Sequence, residues 1–252
     1  EANKLTPDES KRFLDRYMKR LNGAKPVIVG ASNPGTDNLV AFSKSAMDAG
    51  AAGVMIAPIP GLKTDDQIYA YFETVLSRLD GIPVCYQDYP QTTGVSTSVA
   101  VLHRLIDAFP NLVMLKHEDW PGLDKITALR RLEAKGEMPR LSILTGNGGL
   151  FLDYEMERGA DGAMTGYCFP DLLVDVVRMS RAGEREAAHD LFDAHLPLIR
   201  YEQQPGVGLA VRKHVLQRRG ILAHDAQRTP ARGLSATARA EVDHLLERLA
   251  RH

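Results

Sequence analysis

The sequence predicts an α/β protein built on a parallel sheet, and three observations carry that prediction. Short β-branched runs start near residues 27, 53, 83, 112, 141 and 162, the beat of successive βα units. Between them, apolar residues recur at helical spacing, as in Leu39, Phe42, Ala46 and Met47, or Ile68, Tyr71, Phe72, Val75 and Leu79. The runs are apolar on both faces, which suits strands covered by helices on one side and by a core on the other.

Taken in order, the elements have recognisable starts and stops. Thr6-Pro7-Asp8-Glu9 reads as an N-cap, a proline at the first helical position and acids in the first turn. Val27–Ile28–Val29 is the first strand. The turn after it, Gly30-Ala31-Ser32-Asn33-Pro34-Gly35, is neither GxGxxG nor a P-loop, so the phosphate loop typical of a doubly wound sheet is not seen. Ala49-Gly50 ends the next helix, and Val54–Met55–Ile56 follows as the second strand. Val84–Cys85–Tyr86, Leu112–Val113–Met114–Leu115 and Leu141–Ser142–Ile143–Leu144 are the third, fourth and fifth. Arg158-Gly159 closes a helix ahead of the sixth, Gly162–Ala163–Met164–Thr165. Residues 184–203, 207–219 and 235–250 read as helices, separated by Pro205-Gly206 and by Thr229-Pro230-Ala231-Arg232-Gly233.

A closed barrel and an open doubly wound sheet share this beat, and the missing phosphate loop favours the (β/α)8 barrel. The expected organisation is a barrel over residues 1–180 and a helical region over 181–252. A closed barrel needs eight strands and six are visible. Two further units would occupy about 60 residues and would precede Glu1, so the expectation is a barrel incomplete at its N-terminus, or else a fold that is not a full barrel.

Composition narrows the function classes. The chain has 252 residues, 44% hydrophobic and 25% charged, with a net charge of −1. Its basic residues are scattered, which gives no general pull toward nucleic acid or an anionic membrane, and no apolar run is long enough to span a bilayer. The expected partner is a small molecule. Cys85 and Cys168 form no CxxC pair, and neither a zinc cage nor a disulfide framework is suggested. No signal peptide is visible, and a cytoplasmic location is the default.

Three segments could carry chemistry. Lys116 ends the run Leu112–Leu115 and, by strand alternation, shares a face with Leu112 and Met114. An amine against an apolar wall is favoured in its neutral form, which can attack a ketone to form an imine; a lysine snorkelling out of a strand end gives the same pattern. Val84-Cys85-Tyr86-Gln87-Asp88-Tyr89-Pro90 gathers two phenols, an amide and a carboxylate at a strand end. A phenol there could move protons, or Tyr86 could pack in the core and Tyr89 cover the rim. In Thr145-Gly146-Asn147-Gly148-Gly149, backbone N–H groups could hold a carboxylate or simply form a tight turn. Lys116-His117-Glu118-Asp119 contains potential metal ligands, but neighbours point to opposite faces and no second pair has metal spacing.

Together, in order, these segments resemble the dihydrodipicolinate synthase/N-acetylneuraminate lyase family. Glu1–Leu5 with Thr6-Pro7-Asp8-Glu9 looks like the end of that family's glycine–glutamate motif and the helix after it. Pro26-Val27-Ile28-Val29-Gly30 looks like its next strand, and Leu115-Lys116-His117-Glu118 like the strand bearing the Schiff-base lysine. Leu144-Thr145-Gly146-Asn147 and Gly159-Ala160-Asp161-Gly162-Ala163-Met164-Thr165-Gly166 look like the two that follow. The resemblance implies a barrel, a pyruvate-type imine on Lys116, no cofactor beyond that lysine, no metal, and homo-oligomeric assembly as a tetramer or dimer. It implies substrate contacts at Tyr89, Thr92, Gly146, Asn147 and Ala163. The family's paired hydroxyl residues, which hold the 2-oxo-acid carboxylate, would precede Glu1.

Departures narrow the substrate. The family's tyrosine, three residues before the proline of Tyr-x-x-Pro, is Gln87 here, and Tyr86 takes the place only if the match slips by one residue. The arginine that grips the aldehyde's carboxylate in the synthase branch is Thr92. Gln87-Asp88 before Pro90, and Phe169-Pro170-Asp171 after the last strand, look more like the 2-keto-3-deoxyarabonate dehydratase-like branch. The leading expectation is therefore a Schiff-base lyase on a 2-oxo acid, dehydrating or cleaving a 2-keto-3-deoxy sugar acid. The alternatives are a synthase condensing pyruvate with an aldehyde, and a non-catalytic paralogue that binds a 2-oxo acid.

Overall fold

The computed structural model describes residues 1–251. It divides into two compact units, the first Ala2–Leu144 and the second running from Thr145 onward together with Glu1.

The first unit alternates helix and strand: α1 (Pro7–Leu21), β1 (Ile28–Gly30), α2 (Thr36–Asp48), β2 (Gly53–Ile56), α3 (Asp65–Arg78), β3 (Val84–Asp88), a short α4 (Pro90–Thr93), α5 (Val99–Ala108), β4 (Leu112–His117), α6 (Leu123–Ala134) and β5 (Ser142–Thr145), whose last residue falls past the boundary. The expected start of α1 is present as a reciprocal cap. Glu9 N–H donates to Thr6 Oγ1 at 3.2 Å, and Thr6 N–H donates to Glu9 Oε2 at 2.9 Å. Thr64 and Gln67 repeat the device at α3. Gly50 takes a φ of +93° just past α2, where a side chain would be strained.

Strands β1 to β5 lie in the sheet in chain order, and β1 through β4 pair in parallel. One irregularity matters for the site. Val84 pairs with Leu112, but Cys85 pairs with Met114, so Val113 is an extra residue in β4. The alternation expected from sequence would put Leu112, Met114 and Lys116 on one face. Because of the bulge, Leu112 joins Val84 and Leu115 in the core, while Met114 and Lys116 lie on the other side. That core is made by Val54, Ile56, Val84, Tyr86, Leu112 and Leu115 from the sheet and by Leu39, Phe72, Leu76, Leu102, Leu105, Ile126 and Leu129 from the helices. Each such buried aliphatic or aromatic side chain contributes about 1.5–3 kcal/mol of transfer free energy.

The second unit contains α7 (Leu152–Glu157), β6 (Gly162–Ala163), α8 (Pro170–Ala182), α9 (Arg185–Glu202), α10 (Gly208–Arg218) and α11 (Ala236–Leu249). Its core joins Leu152, Leu172, Val176, Phe192, Ile199, Val211, Val215 and Val242. The three C-terminal helices fall within the ranges the periodicity marks. β6 is shorter than its apolar run because the chain beyond it turns to other partners: Met164 N–H donates to the Thr145 carbonyl at 2.8 Å, and the Thr165 hydroxyl accepts Gly148 N–H at 2.8 Å. Among the described residues, no helix is long and apolar enough to cross a membrane.

Candidate active site

In the first unit the ends of β3 and β4 bring three side chains together. Gln87 pairs with Lys116 across the two strands, so both point to the same face. Glu118 follows Lys116 by two residues. Its N–H donates to the Asp88 carbonyl at 2.8 Å, which carries the pairing one residue past β4 and turns Glu118 to the Lys116 side. Lys116 Nζ lies 3.1 Å from Glu118 Oε2, and Gln87 Nε2 donates to that same oxygen at 2.7 Å. The lysine and glutamate side chains are only 14% and 7% exposed, so their charges meet with little screening by water. Cys85, paired with Met55 and Met114, shares this face at its floor. Burial pushes its thiol up to about 12, so it stays an uncharged, apolar neighbour.

This arrangement suits amine chemistry. The glutamate that neutralises the Lys116 ammonium is also in position to take its proton. The Gln87 amide fixes the carboxylate but has no proton to exchange at ordinary pH.

The opposite face of the same strands is built differently. Tyr86 is fully buried, with its ring 4.3 Å from that of Phe72 and its hydroxyl 2.6 Å from Thr97 Oγ1. Burial raises its phenol well above the ordinary range. Lys116 and Gln87 are thus brought together, and Tyr86 lies on the far side of the sheet from them. Tyr89 is half-buried at the head of α4, where its carbonyl accepts Thr92 N–H at 3.1 Å, and Thr92 itself is exposed.

Glu118 was not singled out from sequence as a partner of Lys116. The signal that would have found it is the two-residue spacing from Lys116, which puts both on one face of an extended strand.

Within the second unit, Gly146 is buried and Asn147 adopts a left-handed φ of +49°. Gly148 N–H donates to the Thr165 hydroxyl beyond β6, and Gly149 N–H donates to the Gly146 carbonyl inside the turn at 2.9 Å, so both donors already have partners. Gly148 takes a left-handed φ of +65°, which favours glycine there. Ala163 is half-buried in β6. Among the described residues, no group of three or more His, Cys, Asp or Glu side chains could hold a metal ion.

Comparison with known proteins agrees with this architecture. The model of the dihydrodipicolinate synthetase family matches residues 1–249. The crystal structure of a dihydrodipicolinate synthase from Rhodopseudomonas palustris superposes with a TM-score of 0.95 at 56% identity, covering 98% of this chain and 82% of that one. An L-2-keto-3-deoxyarabonate dehydratase from Azospirillum brasilense is 29% identical over 250 residues, 97% of this chain and 79% of the relative. A 4-hydroxy-tetrahydrodipicolinate synthase from Rhizobium meliloti is 31% identical over 249 residues, 96% of this chain and 81% of the relative. With an α/β fold of parallel strands and a family match along almost its whole length, the chain belongs to the dihydrodipicolinate synthetase family of lyases.

Proposed function

We propose that the protein is a Schiff-base lyase that dehydrates a 2-keto-3-deoxy sugar acid through an imine on Lys116. The observation that carries this reading is the contact of 3.1 Å between Lys116 Nζ and Glu118 Oε2, on a strand face that carries Gln87 and not Tyr86. The steps balance with these groups alone. Glu118 takes a proton from the Lys116 ammonium, and the neutral amine adds to C2 of the substrate. The carbinolamine hydroxyl takes that proton back from Glu118 and leaves as water, giving the iminium and restoring the carboxylate. Glu118 then removes a C3 proton, and the electron pair forms the enamine. The enamine expels the C4 hydroxyl, which leaves as water with the proton held by Glu118. Hydrolysis of the conjugated iminium releases an unsaturated 2-oxo acid and restores Lys116.

The Azospirillum relative, an L-2-keto-3-deoxyarabonate dehydratase, supports this substrate class. A second reading, condensation of pyruvate with an aldehyde, is favoured by the Rhodopseudomonas relative, a dihydrodipicolinate synthase. Thr92, exposed and uncharged, counts against it, because an aldehyde bearing a carboxylate needs a cation there. Homo-oligomeric assembly belongs to the same proposal and is tested by sedimentation.

The deciding experiment incubates the protein with pyruvate, reduces it with borohydride and locates the adduct by mass spectrometry. An adduct on the Lys116 peptide, absent in Lys116→Ala, supports the imine, and no adduct overturns it. Turnover of 2-keto-3-deoxy sugar acids, set against condensation of pyruvate with aldehydes, then separates the two readings.

A further inference from the structure

Behind the Lys116 face, the same strand ends carry a buried ionic cluster that the proposed chemistry does not use. Asp88 and His117 are both fully buried and sit opposite one another in the β3–β4 register. Lys125, in the first turn of α6, reaches three acceptors: Asp88 Oδ2 at 2.7 Å, the Thr97 carbonyl at 2.7 Å and Asp119 Oδ2 at 2.6 Å. An ammonium has three N–H donors, and here each has a partner. Thr97 is steadied in turn by the Tyr86 hydroxyl. His117 Nε2 lies 3.0 Å from the Gly122 carbonyl, which can only accept, so its other nitrogen, Nδ1, faces Asp88 Oδ2 at 3.8 Å.

A cation in the first turn of a helix opposes the helix dipole, and a fully buried carboxylate is costly without a counter-charge. Each fault corrects the other. The two carboxylates that Lys125 holds also bracket the site. Asp88 follows Gln87 in β3, and its carbonyl seats Glu118 N–H; Asp119 follows Glu118 directly.

We infer that Lys125 is a positioning residue of the Lys116 site: by clamping Asp88 and Asp119 from behind the sheet, it fixes the strand ends on which Gln87, Lys116 and Glu118 meet. The inference rests on the imine reading of Lys116.

Pyruvate in D2O is the probe, with two readouts. Borohydride trapping reports the imine at Lys116, and NMR follows deuterium entry into the methyl group, which needs a well-placed base at C3. Lys125→Ala is expected to form the adduct to a similar extent but to exchange its methyl protons at least about tenfold more slowly, because the base is misplaced and not absent. Ethylammonium, which fits the space vacated by the side chain, is expected to restore exchange. Exchange at the wild-type rate overturns the inference. So does a loss of adduct and exchange in equal proportion, with no response to ethylammonium, which is the mark of a role in folding alone. Should Lys125→Ala fail to fold, Lys125→Arg serves: slowed exchange with intact adduct supports the inference, and wild-type exchange overturns it. Wild-type protein that neither traps pyruvate nor exchanges its protons overturns the imine reading, and the inference with it.

Discussion

Glu118 holds a single carboxylate oxygen between two donors, the Lys116 ammonium at 3.1 Å and the Gln87 amide at 2.7 Å. The sharing has a chemical use. In the proposed reaction an imine on Lys116 would remove its ammonium, and Gln87 would still hold the oxygen at the mouth of the strand. The carboxylate would then be free to act as the base that the proposed dehydration needs.

Glu118→Gln tests this directly, because it keeps the shape and removes the base. Turnover of a 2-keto-3-deoxy sugar acid is expected to fall by about 10²–10⁴-fold, the usual worth of a positioned acid–base group, while a pyruvate adduct on Lys116 is still trapped. Unchanged kcat would take Glu118 out of the chemistry.

Tyr86→Phe separates the two faces of the sheet. The phenol gives up one hydrogen bond to Thr97, so the expected cost is about 1 kcal/mol of stability in urea unfolding, with kcat changed by no more than a few-fold. A loss of kcat comparable to that of Glu118→Gln would return the phenol to the reaction.

Gly122→Ala is expected to destabilise the first unit by about 1–3 kcal/mol, the range for overpacking a close contact. A Cβ there would lie 2.3 Å from His117 Nε2 and 2.5 Å from the Asp119 carbonyl, neither of which can move without disturbing the Lys125 clamp. Gly233→Ala, with nothing within 4 Å of the new carbon, is the control. Thermal unfolding of the pair measures the difference.

In the second unit, His189 joins α9 to α7 through both ring nitrogens, Nε2 at 2.7 Å from Glu157 and Nδ1 at 3.0 Å from Asp153. The hydrogen bond to Glu157, outweighing partial desolvation, raises its pKa, and Asp153 adds to the rise. A raised folded pKa means that the stabilisation is complete below the unfolded value of about 6.5 and is lost as pH climbs through the folded one. His189→Gln should therefore cost more stability near pH 6 than near pH 9. Denaturant midpoints at the two pH values check the sign, and an equal cost at both would remove the charge from the account.

Much of this protein is legible in its sequence, because hydrophobic period and caps act locally. The Thr6–Glu9 box, the strand starts and the three late helices all follow from patterns a few residues long. Lys116 and Gln87 could be marked as neighbours in function but not as neighbours in space, since that requires the β3–β4 register. Tyr86 and Gln87 were indistinguishable for the same reason: adjacent residues on a strand take opposite faces, and the sequence does not say which face holds the site. The clamp at Lys125 was hidden because its partners, Asp88, Thr97 and Asp119, lie on separate segments and meet only after folding.

The side of the sheet on which the Lys116 amine emerges is set by the bulge at Val113, three residues before it. Were Val113 paired in the ladder and not bulged out, the pairing that begins at Val84 and Leu112 would run on unbroken and bring Lys116 opposite Asp88 instead of Gln87. The amine would then enter the helix-covered layer, and His117 would take its place at the open face. Which side chain meets Gln87 is thus encoded in the phase of a backbone as well as in the identity of a residue. Deleting Val113 would remove the bulge yet leave Lys116 opposite Gln87, so the phase is lost only when the residue stays and its bulge does not.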